Sequence, residues 1–174
     1  MKTNFPAERL AKIAVIAALY FALTVAIAPL AYGPVQFRFS EILVLLCFFN
    51  KDYCYSMVIG CALSNLFSPM AVLDVPVGTL ATFIAVILIY KSKNLIISSV
   101  FPVILNGLII GAEITILTPE KNIPLLFANM GTVALGELVV VTVIGVPIFY
   151  LLKKNEIVMK LIGVSKSELI NASE

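Results

Sequence analysis

The chain has 174 residues, of which 61% are hydrophobic and 13% are charged, and its formal net charge is +2. Soluble domains are about 45–50% apolar and about 25% charged, so the composition indicates an integral membrane protein. The small, scattered net charge argues against nucleic-acid binding, and the absence of histidine excludes His-based triads and His-ligated zinc hydrolase sites. We therefore predict no catalytic residue, metal or cofactor in this chain.

Six apolar segments follow one another along the chain and predict an all-α membrane protein with six transmembrane helices. A spanning helix needs about 20 apolar residues to cross a hydrocarbon core of about 30 Å. The second segment is short for a full span, so we expect it to begin in the membrane interface or to line a cavity. The segments are residues 10–30, 39–49, 53–69, 72–90, 95–117 and 123–152. Residues 1–155 would form one membrane domain, and residues 156–174 a polar tail.

The basic residues lie mainly on one side of the predicted membrane, and this predicts the orientation of the protein. With six spans drawn, every Lys and Arg except Arg38 and Lys121 falls at the termini or in the loops on one side. Cytoplasmic loops are enriched in Lys and Arg. Both termini and the polar tail are therefore predicted to be cytoplasmic.

The first segment carries alanine at every fourth position, at Ala14, Ala18, Ala22 and Ala26. Small residues at this spacing form a shallow groove that lets another helix backbone approach closely. The groove predicts docking of a partner helix. The alternative is packing against the other five helices of the same chain.

Polar residues cluster on the predicted outer side of the membrane. Arg38 and Glu41 are three positions apart, so a helix would place them on one face as an ion pair. They either anchor the interface or, with Gln36, form the rim of an outward-facing site. Asn65 and Asp74 also lie towards the outside, and Asp74 has the alternative role of capping the fourth helix.

The fifth and sixth segments each carry an asparagine and a glutamate, Asn106 with Glu113 and Asn129 with Glu137. A lipid-facing carboxylate costs about 2.5–3.5 kcal/mol at mid-helix, so both glutamates are expected to face the protein interior or a wet cavity. They would share a proton, bond to the asparagines, or bind a ligand with several N–H donors, such as a planar heterocycle. A packing role is the alternative.

Several motifs resemble the QueT family, in order and over about residues 8–152. The most specific is LAYGPVQFRFSE at residues 30–41. It is followed by NLFSP at 65–69, DVPVGTLAT at 74–82, NG at 106–107, GAE at 111–113 and GEL at 136–138. The resemblance does not cover the tail.

The resemblance implies a substrate-binding S component of an energy-coupling factor (ECF) importer in a prokaryotic plasma membrane. S components are six-helix proteins that bind substrate near the outer face. They dock through an Ala-x-x-x-Ala motif against a transmembrane T subunit driven by two ATPase subunits. Ala14, Ala18 and Ala22 match that motif, and the chain has no P-loop of its own. The implied substrate is a queuosine precursor, a 7-deazaguanine such as preQ0, preQ1 or queuine.

A carboxylate accepts two hydrogen bonds from a guanine-like edge, so Glu113 or Glu137 would bind that edge. Asparagine and glutamine amides would read the remaining ring atoms, while Tyr32, Phe37 or Phe39 would stack on the ring. The predicted substrate-binding residues are Gln36, Arg38, Glu41, Asn65, Asp74, Asn106, Glu113, Asn129 and Glu137.

Four alternatives remain open at this point. The chain would be an S component for another vitamin or small nutrient, a ligand-free membrane scaffold, or a secondary transporter driven by protons or sodium. An intramembrane enzyme using paired carboxylates is the fourth, but the glutamates have no nucleophile or metal cluster beside them in the sequence.

Overall fold

The computed structural model describes residues 7–33 and 35–163, and every regular element among them is helical. The all-α prediction is confirmed, since no strand occurs in these ranges. In chain order the elements are α1 (Ala7–Ala26), α2 (Ala28–Ala31), a 3₁₀ segment (Phe39–Leu45), α3 (Leu46–Phe49), α4 (Asp52–Asn65), α5 (Ala71–Lys91), α6 (Leu95–Leu117), α7 (Ile123–Glu137), a π segment (Leu138–Gly145), α8 (Val146–Lys153) and α9 (Glu156–Leu161).

Among the described residues, four helical stretches are long and apolar enough to cross a membrane, as expected of a multi-pass membrane protein. They are Ala7–Ala26, Ala71–Lys91, Leu95–Leu117 and Ile123–Lys153, the last of which runs through α7, the π segment and α8. The prediction of six full spans with both termini in the cytoplasm stays a prediction.

The predicted second segment is helical but short. It combines the 3₁₀ segment with α3, and at about 2.0 and 1.5 Å per residue these reach about 20 Å, less than the hydrocarbon thickness. Val44, Leu45 and Cys47 within it are fully buried. The middle of the segment therefore lies inside the helix bundle, where neighbouring helices cover it.

The hairpin of α6 and α7 is built by capping and by small residues. Asn122 caps α7 by accepting a hydrogen bond from the backbone N–H of Leu125 at 2.8 Å. A Cβ atom at Gly111 would lie 2.5 Å from the Cα of Met130, so only glycine permits this closeness of the two helices. This close approach brings the polar faces of α6 and α7 together.

Helix α1 packs against α4 with one face and exposes the other. Ile13, Ala17, Tyr20 and Thr24 are buried, and Gly60 of α4 lets the backbone of α1 come close. The predicted groove alanines lie on the opposite face and are all exposed: Ala14, Ala18, Ala22 and Ala26. The alternative that these alanines pack inside this bundle is therefore wrong.

The predicted inner end is closed by the start of the predicted tail. Met159 of α9 is buried. The carbonyl oxygen of Ile162 accepts hydrogen bonds from Asn50 Nδ2 at 3.3 Å and from the Tyr53 hydroxyl at 3.1 Å. Residues 156–163 thus pack against the helical body, while residues 164–174 of the predicted tail lie outside the described residues.

Candidate functional site

Five charged side chains are buried within the described residues, and four of them are acidic. None is more than 7% exposed: Arg38, Glu41, Asp74, Glu113 and Glu137. All five belong to the set predicted from sequence to bind substrate. Because burying a charge is costly unless it is paired or bound to a ligand, this concentration marks the candidate site.

Glu137 lies at the end of α7, immediately before the π segment, and faces Asn106 of α6. Asn106 Nδ2 donates a hydrogen bond to Glu137 Oε1 at 2.6 Å. The second oxygen, Oε2, is buried and has no hydrogen-bond partner in the described structure. The structure thus brings together two predicted residues and leaves one carboxylate oxygen ready to accept a hydrogen bond.

Glu113 lies seven positions after Asn106, about 10 Å further along α6. It is 5% exposed, and neither carboxylate oxygen has a hydrogen-bond partner among the described residues. The carboxyl group of Asp74 lies within electrostatic range of it. The carboxyl groups of Asp74 and Glu113, from α5 and α6, are therefore neighbours, and a hydrogen bond directly between them requires one of the two to be protonated.

Asp74 does not cap α5, because the N-cap position is occupied by Met70. Asp74 lies in the first turn of the helix, and its carboxylate accepts a hydrogen bond from the Ser68 hydroxyl. Ser68 in turn accepts from the backbone N–H of Met70 at 3.2 Å. These contacts hold the Asp74 carboxylate at the start of α5, beside Glu113.

Arg38 does not form the expected ion pair with Glu41. Its Nε donates to the carbonyl oxygen of Ala31 at 3.3 Å, and its guanidinium lies over the Tyr32 ring, 5.4 Å from the centroid. Glu41, Glu113 and Glu137 all lie within electrostatic range of it. Arg38 is thus shared among several carboxylates, none of which it pairs directly within the described residues.

Glu41 is instead bonded to α1, a contact that the sequence analysis missed. The buried Tyr20 hydroxyl donates to Glu41 Oε1, and one turn away Thr24 Oγ1 and Ser40 Oγ lie 2.6 Å apart. Polar side chains in an otherwise apolar span were the only sequence signal for this network. It ties α1 to the segment that carries Arg38 and Glu41.

Two predicted asparagines make interhelical contacts. Asn65 Nδ2 donates to the backbone carbonyl of Asp74 at 2.7 Å, while its buried Oδ1 has no partner in the described chain. Asn129 is half-buried and donates to Thr115 Oγ1 at 2.9 Å. Asn65 therefore belongs to the acidic region around Asp74, whereas Asn129 links α7 to α6 two turns from Glu137.

The loop before the 3₁₀ segment passes over α7 beside Glu137. A Cβ atom at Gly136 would lie 2.1 Å from the carbonyl oxygen of Val35, so the loop backbone touches the helix where only glycine fits. Gln36, the next residue, is buried and has a φ of 51°, a left-handed conformation that is uncommon for a residue other than glycine. This loop covers the site.

The aromatic residues proposed to stack on a ligand have different surroundings. The Tyr32 hydroxyl donates to the carbonyl oxygen of Ser64 at 2.6 Å, and its ring already contacts Arg38. Phe37 packs against the core, and Phe39 is 39% exposed.

Two surface cavities lie away from these residues. One of about 250 Å³ at the predicted inner end contains charges that pair with each other, Arg9 with Asp52 and Lys12 with Glu8. The other, of about 380 Å³, lies between α6 and the start of α7 and is mainly apolar. Neither is lined by the buried carboxylates.

The sequence profile of the QueT transporter family matches residues 10–154, which include every candidate site residue. The chain belongs to the QueT transporter family. It is also 46% identical over 74 residues to the queuosine precursor transporter QueT of Lactococcus lactis subsp. cremoris (strain MG1363). That alignment covers 41% of this chain and 43% of the relative. No solved structure matches the chain.

Proposed function

We propose that this member of the QueT transporter family is the substrate-binding S component of an ECF-type importer for a queuosine precursor. The observation that carries the proposal is the pair of buried glutamates, Glu113 and Glu137, whose free oxygens have no donor among the described residues. A buried acceptor without a donor is costly, so a ligand bearing N–H groups would stabilise it. The queuosine-precursor name of the L. lactis relative supplies the substrate class.

A 7-deazaguanine fits the chemistry of Glu137. Its N1–H and 2-amino groups form a donor edge that complements a carboxylate, and such charge-assisted hydrogen bonds are among the stronger ones. Asn106 already occupies Oε1 of Glu137, which orients the carboxylate and leaves Oε2 for the ligand. When the site opens, the Asn106 amide would also form a hydrogen bond with the ring of the 7-deazaguanine.

Substrate entry requires the covering loop to move, because the carboxylates are enclosed. The contact between Val35 and Gly136 is the part of the loop nearest to Glu137. Displacement of this contact would open the site towards the predicted outer face, and its return would enclose the captured base.

Energy coupling would occur through the exposed face of α1. Ala14, Ala18 and Ala22 form a groove of small residues on this surface, which suits close contact with a helix of the T subunit. After docking, reorientation of the loaded subunit in the membrane would turn the site to the cytoplasm. Two ATPase subunits would supply the energy.

The test is uptake of a radiolabelled 7-deazaguanine by cells expressing this chain with and without the T and ATPase subunits. We expect uptake only when all the subunits are present. Uptake that persists without the ATPases would contradict the proposal and indicate a secondary transporter. A complex that assembles but neither binds nor transports any small molecule would instead indicate a scaffold. Mass spectrometry of co-purified ligand distinguishes a queuosine precursor from another vitamin.

A further inference from the structure

The acidic pair formed by Asp74 and Glu113 is separate from the contact between Asn106 and Glu137. Glu137 has a hydrogen-bond donor on one oxygen, whereas Glu113 has none on either oxygen within the described residues and is only 5% exposed. The two glutamates belong to different helices, and the spacing from Asn106 to Glu113 is about 10 Å along α6. The site therefore has two chemically different ends.

Little positive charge is available to neutralise the carboxyl groups of Glu113 and Asp74. Arg38 is the one cationic side chain among the buried charges of the described residues, and it is also within range of Glu41 and Glu137. Its guanidinium is held over Tyr32 and bonds to a backbone carbonyl. Two neighbouring carboxyl groups, one of them without a donor from any other described side chain, either share a proton or bind a cationic group that neutralises them.

We propose that Asp74 and Glu113 form a cation subsite that binds an ammonium group carried by the substrate, while Glu137 and Asn106 bind its donor edge. This inference rests on the proposed function and narrows its substrate class to amine-bearing bases. A primary or secondary ammonium offers several N–H donors at one point, which suits the free oxygens of Glu113 and the adjacent carboxylate of Asp74. The subsite thus selects against a neutral substituent at the same ring position.

Ser68 and Asn65 position the Asp74 side of the subsite. The Ser68 hydroxyl bonds to one carboxylate oxygen of Asp74, and the Asn65 amide bonds to its backbone carbonyl. The free Oδ1 of Asn65 is a further buried acceptor in this region. These contacts hold the Asp74 carboxylate in place, so the site is preorganised for an ammonium group.

The experiment compares two probes on the purified full chain in lipid nanodiscs. The probes are 7-aminomethyl-7-deazaguanine, a cation, and 7-cyano-7-deazaguanine, which is neutral and shares the same donor edge. We expect the cation to bind about 10- to 100-fold more tightly, the range of a hydrogen-bonded charge contact. Glu113→Gln should remove most of this preference, because it weakens binding of the cation much more than binding of the cyano probe.

Glu137→Gln provides the contrast, because it should weaken the binding of both probes and preserve the ratio of their affinities. Thermal unfolding in the nanodiscs shows whether the Glu113 variant is folded, and Asp74→Asn gives a second variant of the same subsite. Equal affinity for the two probes in the unaltered chain would overturn the cation subsite and leave the proposed function intact. An affinity ratio that stays unchanged in both Glu113→Gln and Asp74→Asn would also overturn the cation subsite. A folded chain that binds neither probe would overturn both proposals.

Discussion

Asn106 Nδ2 donates a hydrogen bond of 2.6 Å to Glu137 Oε1, joining the middle of α6 to the last residue of α7. Both side chains are buried, at 6% and 4% exposed. The contact fixes the direction of the Glu137 carboxyl group. Oε2 is left buried without a donor in the described structure, and this is the acceptor that we assign to the substrate.

Glu137→Gln should weaken binding of a 7-deazaguanine by about 10- to 100-fold, because a hydrogen bond to a charged group contributes about 1.5–3 kcal/mol. Glutamine keeps the shape and can still accept the hydrogen bond of Asn106. Isothermal calorimetry of the purified chain measures the effect. Glu120→Gln, the same substitution at an exposed position after α6, is the matched control and should leave affinity unchanged. Equal affinities for the two variants would rule out this role of Glu137.

Gly136→Ala should weaken ligand binding by about 1–3 kcal/mol, because the new methyl group would meet the Val35 carbonyl at 2.1 Å and displace the covering loop. Gly131→Ala is the control on the same helix. A Cβ there has no neighbour within 4 Å, so the change should be tolerated and favour the helix. Ligand affinity of the two variants, measured side by side, tests the loop. A Gly136→Ala protein with unaltered affinity would show that the loop does not enclose the site.

Tyr20→Phe should lower the free energy of unfolding by about 1–3 kcal/mol, since it leaves the buried Glu41 carboxylate without its hydroxyl donor. Thermal unfolding in detergent reports the loss as a lower midpoint temperature. The comparison is Tyr55→Phe, whose ring is 56% exposed and whose hydroxyl loss should have little effect. If both variants unfold at the same temperature, the Tyr20–Glu41 bond does not stabilise the protein.

Ala18→Leu should prevent assembly with the T and ATPase subunits while leaving ligand affinity unchanged. The larger side chain fills the groove on the exposed face of α1. Because Ala18 is exposed, the substitution should not disturb the packing of the bundle itself. Co-purification of the tagged subunits measures assembly. Ala128→Leu places the same substitution on an exposed position of α7 and should leave assembly intact. Complexes recovered in full with Ala18→Leu would exclude the groove as the docking surface.

Much of the architecture could be predicted from the apolar runs, because residues that face lipid must be apolar over the length of a span. The apolar run at residues 95–117 predicts one helix, and the structure has a helix with these bounds. The clustering of the acidic residues could also be predicted, since the cost of a charge facing lipid requires Glu113 and Glu137 to turn inward.

Other features depend on contacts between segments that no local pattern reveals. The 3₁₀ segment at Phe39–Leu45 and the π segment at Leu138–Gly145 pack against each other, and nothing in their apolar composition distinguishes them from α-helix. The pairing of Tyr20 with Glu41 replaced the expected pairing of Arg38 with Glu41 for a related reason. Arg38 precedes the 3₁₀ segment and has a non-helical backbone (φ −90°, ψ 89°), so the i, i+3 spacing does not bring its side chain to Glu41.

The most direct test is calorimetric titration of the purified chain alone, without T or ATPase subunits, with 7-aminomethyl-7-deazaguanine. The account predicts saturable binding with a Kd of about 1 μM or tighter, because the site is complete within this chain. A folded chain that binds neither this compound nor another 7-deazaguanine would contradict the assignment of the buried carboxylates to a queuosine precursor.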